Sequence, residues 1–167
     1  MSLDLTLRNH QRRRPVATRQ LRRICATLLA DLLQIKNAEL GVTLVAAPEM
    51  VRLNGQFLQH EGSTDVITFD YSEIPEPRPP TPDPRLKLHG ELFICLDEAV
   101  LQARRCRTTW QAEIVRYIIH GALHLLGHDD HRAAARRKMK REENRLLRVL
   151  EIRFALSRLA RKPRLRR

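Results

Sequence analysis

A chain of 167 residues that is 43% hydrophobic is long enough for one domain with a real core and short for two. Its three cysteines, Cys25, Cys95 and Cys106, are far apart and form no C-x-x-C, which argues against a disulfide framework or a thiolate metal site and fits a reducing cytoplasm. The net charge of +12 is concentrated: residues 132–167 hold fifteen Lys and Arg against three acids, while the rest of the chain balances. A basic segment of this kind suits a nucleic acid, a solvated helix face being the plainer explanation.

In chain order, Leu21, Ile24, Cys25, Leu28, Leu32 and Ile35 recur at three- and four-residue steps, predicting an amphipathic helix over residues 15–36 with Pro15 in its first turn. The arginines at residues 12–14 are followed by no apolar run, and no run anywhere nears about 18 residues, so neither export nor a membrane span is expected. Leu40, Val42, Leu44 and Ala46 alternate as in a half-buried strand. Pro48 and Glu49 open a short helix with Met50, Leu53 and Phe57 on one side. VITFDY at residues 66–71 reads as a strand. The segment 72–87 holds six of the nine prolines and reads as an exposed loop. ELFICL at residues 91–96 follows as a buried strand, with Asp97 placed to cap the next helix.

Thr109 is a suitable N-cap for a largely buried helix that carries His120 and His124. A last helix over residues 133–157 is expected to pack through Met139, Leu146, Leu147, Leu150 and Phe154. The expected organisation is one domain over residues 1–154 and a mobile basic tail over 155–167.

The chemistry is concentrated in HGALHLLGHDDH, residues 120–131. His120 and His124 lie one turn apart on one helix face, so both imidazoles can reach one metal ion. Gly127 then stops the helix, and His128, Asp129, Asp130 and His131 follow as further donors. A lone histidine on a buried helix is usually a hydrogen-bonded core residue, but this pair with its following donors is uncommon. Imidazole and carboxylate without thiolate suit one Zn²⁺, with nickel, manganese or iron as alternatives. Gly121 stands where the H-E-x-x-H metalloproteases carry their general base, which removes a proteolytic mechanism of that kind.

HGALHLLGH resembles the histidine signature of the YbeY proteins, bacterial metal-dependent endoribonucleases. LNGQFLQHEGSTDVITFDY at residues 53–71 and GELFIC at residues 90–95 resemble two further family segments, in the family's order. The resemblance implies a single-domain α+β fold with helices packed around a small mixed sheet, and a metal site near a basic cleft. It also implies hydrolysis of single-stranded RNA in maturing the 3′ end of small-subunit rRNA, and a part in ribosome quality control. The implied partners are single-stranded RNA, rRNA and the small ribosomal subunit in the cytoplasm, with no DNA and no membrane.

The chain departs from the family pattern twice. The family's third ligand is a histidine at the place held here by Asp130, and His131 comes one residue later; Met139, nine residues after Asp130, has a spacing common in the family and favours Asp130 over His131. Leu58 occupies the place of a family arginine that could hold a phosphate, a contact that Arg52 or another basic residue would have to replace. His60 is a candidate for contacting substrate or a polar loop residue. Thr64 and Asp65 are candidates for orienting water or a ligand histidine, or are turn residues before the strand. The rival from another class is a non-catalytic RNA-binding assembly factor with a structural metal. A fourth protein ligand, His128 or His131, would favour it; an open metal position would favour catalysis.

Overall fold

Leu3, Leu5 and Leu7 alternate with polar residues, and this stretch forms an edge strand, β1 (Ser2–Asn9), in a computed structural model that describes residues 2–72 and 87–160. The sequence reading assigns no strand there, because three alternating leucines among charged residues are a weak signal; pairing with a neighbour is what makes them a strand. That neighbour is β2 (Asn37–Val45), parallel to β1. β2 is also parallel to β4 (Leu88–Cys95), and β4 is antiparallel to β3 (Val66–Asp70), giving a mixed sheet in the order β1-β2-β4-β3. The end of β2 is buried on both faces from Val42 to Val45, rather than half-buried, because it is a central strand with helices on either side.

Among the described residues, five α-helices pack on this sheet. The helix expected over residues 15–36 is shorter: α1 (Thr18–Thr27) runs into a π-helical turn, Leu28–Leu32. Pro15 stays outside it, since Val16 pairs with Ala160 in an isolated bridge. α2 (Ala47–Leu53) also ends in a π turn, Asn54–Leu58. Met50 and Leu53 are buried, but Phe57 is 52% exposed and meets Phe69 edge-on at 5.3 Å. The wider turn rotates Phe57 off the side that Met50 and Leu53 share. Asp97 does not cap its own helix, α3 (Leu96–Cys106), whose N-cap is Cys95. Its carboxylate instead accepts the Ala47 N–H at 2.7 Å, at the start of α2.

α4 (Trp110–Leu125) is capped as expected, the Thr109 hydroxyl accepting the Ala112 N–H at 3.2 Å. It packs on β3, β4, α3 and α5 (Ala133–Arg153), and eleven of its residues are buried. The main core joins α1, α4, α5 and one sheet face; a smaller one joins α2 to the other face through Val45, Ile67 and Cys95. Beyond α5, a 3-10 turn, Leu156–Leu159, inserts Leu156 and Leu159 into the main core. The chain expected to be mobile from residue 155 is therefore fixed to residue 160, because two leucines hold it; residues 161–167 lie outside the described residues, as does the Pro-rich segment but for Ser72 and Lys87. No described helix is long and apolar enough to cross a membrane.

Gly121 lets α4 approach the sheet. A Cβ there would stand 2.5 Å from Leu92 Cδ2 and 3.2 Å from Thr68 Oγ1. Position 121 thus faces the sheet, where a glutamate side chain would not fit. Gly121→Ala is expected to lower the Tm by several degrees: overpacking costs about 1–3 kcal/mol, of which better helix propensity returns at most about 1 kcal/mol. An unchanged Tm would mean that Leu92, fully buried here, moves aside freely.

Candidate metal centre

α4 brings His120 and His124 together with ring centroids 4.5 Å apart, planes at 76° and Nε2 atoms 3.0 Å apart. Gly127, at φ 87°, ends the helix, and the Gly127 and His128 N–H groups bond back to the carbonyls of His124 and Leu123 at 2.8 and 3.0 Å. This reversal returns Asp130 to the pair, with Oδ2 3.9 Å from His120 Nε2 and 3.7 Å from His124 Nε2. One donor atom from each of the three lies within 4.8 Å of the others.

The far nitrogens explain why the near ones converge. His120 Nδ1 donates to Glu143 Oε1 at 2.6 Å, and His124 Nδ1 donates to the His128 carbonyl at 3.1 Å. Both acceptors require a proton on Nδ1, so both Nε2 lone pairs face the same point beside a carboxylate. Three electron-rich atoms held that close repel one another unless a cation or proton lies between them, and the donor set fits a metal ion. Burial disfavours charge on His120, yet the hydrogen bond and charge of Glu143, with Asp65 and Asp130, raise its pKa above the usual histidine value. Burial and the neighbouring His120 lower that of His124. Burial would raise the Glu143 pKa, but the His120 hydrogen bond and the charges of His120, Lys140 and Arg116 hold it below the carboxylate range.

Glu143 is the residue of this candidate site that sequence reasoning missed. It is only 4% exposed and sits in the α5 row formed by Met139, Leu146, Leu147 and Leu150. A glutamate inside an apolar stripe was the available signal.

The centre lies where two clefts meet. One, of about 330 Å³, is lined by Asp65, Arg116, Tyr117, His120, Asp130 and Lys140 among others. The second, of about 520 Å³, is lined by Leu58, Thr68, His120, His124, Asp130 and His131 among others. Asp65 thus shares a cleft with His120, while its Oδ1 also accepts the Val66 N–H at 2.8 Å and the Thr64 hydroxyl at 3.2 Å. His60 is exposed and lines neither cleft. The His131 side chain is 91% exposed and lies 3.8 Å from Asp129 in a second, largely exposed donor group that also includes Asp130. His128 serves through its carbonyl; its ring feels Lys138 and Glu142 on α5. Arg52 lies with Glu49 and Gln56 and lines neither cleft. The cations beside the centre are Arg116, Arg136 and Lys140. Arg136 also donates to the Asp130 and His131 carbonyls at 3.0 and 3.4 Å, which braces the ligand loop.

The model of the endoribonuclease YbeY family matches residues 6–151. The chain belongs to the YbeY family. Its relatives named endoribonuclease YbeY include one from Parabacteroides distasonis, 36% identical over 69% of this chain and 73% of that protein. An Anaeromyxobacter species has one that is 39% identical over 80% of this chain and 65% of its own length. Another, from Chlorobium phaeovibrioides, is 39% identical over 60% of this chain and 61% of its own length. The chain thus spans somewhat under two thirds of the length of these last two YbeY proteins. A solution structure of a Thermotoga maritima protein, 19% identical, has the same fold with a TM-score of 0.63, over 98% of this chain and 99% of that one.

Proposed function

We propose that this protein is a metal-dependent endoribonuclease that cleaves single-stranded RNA. The observation that carries the reading is the convergence of two imidazole nitrogens and a carboxylate at the junction of two clefts, in a chain whose relatives are named endoribonucleases. The proposed substrate is rRNA, at the 3′ end of the small-subunit molecule and in ribosome quality control, in the cytoplasm and with the small subunit as partner. Neither DNA nor membrane is proposed as a partner.

His120, His124 and Asp130 are the proposed ligands of one zinc ion, with His131 as the alternative third ligand. When bound, zinc supplies Lewis acidity, which activates water and offsets charge on phosphate oxygens. Glu143 and the His128 carbonyl hold the two rings in the tautomer that leaves Nε2 free to bind. Asp65, which lines the cleft beside His120, is the proposed holder of a water by hydrogen bond or of a proton in transit. Arg116, Arg136 and Lys140 draw the RNA backbone to the cleft, in the place of the arginine that Leu58 lacks. His60 is assigned no step. Among the described residues one donor group joins His120, His124 and Asp130, while His131 belongs to a second, more exposed group with Asp129 and Asp130; a three-donor group supports an open catalytic position over a structural metal.

The test is reloading. Protein stripped by a chelator is expected to cleave no single-stranded RNA and to regain cleavage with one equivalent of zinc, while duplex RNA and single-stranded DNA stay intact. Asp130→Asn is expected to need at least about tenfold more zinc. A larger shift for His131→Ala would give His131 the third place, and cleavage indifferent to metal would overturn the reading.

A further inference from the structure

The basic helix α5 carries more cations than the metal centre uses, and one row of them is set apart by geometry. Arg136, Lys140, Asn144 and Arg148 follow at four-residue steps, so they lie along one flank of the helix at intervals of about 6 Å. Arg136 and Lys140 line the cleft that contains His120. Asn144 and Arg148 line a further cleft of about 350 Å³ between α4 and α5, with Thr108 and Thr109 at its α4 end. The two clefts share Glu113 and Arg116, so they form one groove leading away from the metal centre. Arg116 is fixed at the join, donating to Asn144 Oδ1 at 2.7 Å and lying 3.9 Å from Glu113 and 3.7 Å from Glu143.

Five acids line the two clefts: Asp65 and Asp130 stand at the His120 end, Glu143 is buried and paired with His120, Arg116 and Lys140, and Glu113 and Glu151 lie farther along. Glu113 is 3% exposed, accepts the Thr108 hydroxyl at 2.6 Å and is paired with Arg116, so it presents little charge to the groove. Glu151 lies at the outer end, where the basic row stops. The other cations of α5, Arg137, Lys138, Arg141, Arg145 and Arg153, line none of these clefts; Arg145 is paired with Glu142 at 2.6 Å and Arg153 with Asp31 at 3.0 Å.

We infer that the α4–α5 groove is the track for one strand of RNA entering or leaving the metal centre, with Arg148 as a phosphate-positioning residue about 18 Å along the helix from Arg136. The track rests on the endoribonuclease reading and extends it from the cleavage point to several flanking nucleotides. A strand is chosen over a duplex because a groove lined by one row of cations matches one backbone. Asn144, through its side-chain N–H groups, and the Thr109 hydroxyl hydrogen add donors suited to phosphate or sugar, since Asn144 Oδ1 is held by Arg116 and the Thr109 oxygen by the Ala112 N–H.

The experiment compares zinc-loaded wild type with Arg148→Gln, Arg148→Lys and Arg137→Gln, using single-stranded RNAs of about four and about sixteen nucleotides. Arg148→Gln is expected to weaken binding of the longer RNA about fivefold to tenfold, with KM rising in step and kcat little changed. Its log–log salt slope should fall by about 0.7, the value of one single-strand phosphate contact. The loss should be smaller for the shorter RNA, Arg148→Lys should recover most of it, and Arg137→Gln should change the longer RNA's binding less than twofold. Equal losses in Arg148→Gln and Arg137→Gln, or no length dependence, would overturn the track in favour of general attraction. A wild type that cleaves no RNA but loses binding only through Arg148 would support the track and remove the nuclease reading instead.

Discussion

Replacing His124 by Ala is expected to lower kcat/KM on single-stranded RNA by about a thousandfold or more, about 4 kcal/mol of transition-state stabilisation. The reason is the number of donors: with one imidazole gone, His120 and Asp130 alone are left to hold the ion. The fold should persist, because the His124 ring is only half buried and its one backbone partner is the adjacent His128 carbonyl. RNA binding should fall only a few-fold, since Arg116, Arg136, Lys140 and Arg148 sit on other turns and are untouched. A cleavage assay paired with a binding titration separates the two readings of this protein. Loss of cleavage with binding retained is the catalytic outcome. Unchanged cleavage in a variant shown to hold no metal would leave the assembly-factor reading.

The Glu143→Gln substitution is expected to weaken zinc binding about tenfold to a hundredfold, although residue 143 is not a proposed ligand. A glutamine oxygen can still accept the His120 Nδ1–H, so ring position is kept, but the charge that makes His120 a more basic donor is lost. The pH dependence follows with a definite sign. In the wild type Glu143 raises the His120 pKa, so protons compete with zinc for Nε2 from a higher pH downward, and zinc affinity rises with pH through that range. Removing the charge lowers both zinc affinity and proton affinity. Competition titrations at about pH 8 and about pH 6 should therefore show the widest gap between wild type and variant at the higher pH. A gap that is absent at both would reduce Glu143 to a packing residue.

The histidine pair was legible because its information is local. Two histidines at i and i+4 on a buried helix share a face whatever the rest of the chain does, and Gly127 marks where that helix must end. Thr109 as N-cap, the apolar faces of α4 and α5, and the strands β2, β3 and β4 were legible for the same reason. β1 was not, because an edge strand with a weak pattern is defined by its partner. Pro15, Phe57 and Asp97 were misplaced because each is decided by a distant contact or an irregular turn: the Val16–Ala160 bridge, the π turn before residue 59, and the Ala47 N–H. The tail from residue 155 looked mobile because its charge masked Leu156 and Leu159, which only a core from other elements could hold.

By itself, then, the sequence determined that His120 and His124 share one helix face, that Gly121 stands where a protease base would, and that charge is concentrated at the C-terminal end. Tertiary structure decided everything that depends on separation through space rather than along the chain. It set Asp130 against the two histidines and left His131 largely exposed beside Asp129. It put Glu143, 23 residues from His120, behind the ring that it orients. And from a long run of positive charge it selected the few cations that face the groove, because a helix presents only one flank to its neighbour and leaves the others to water.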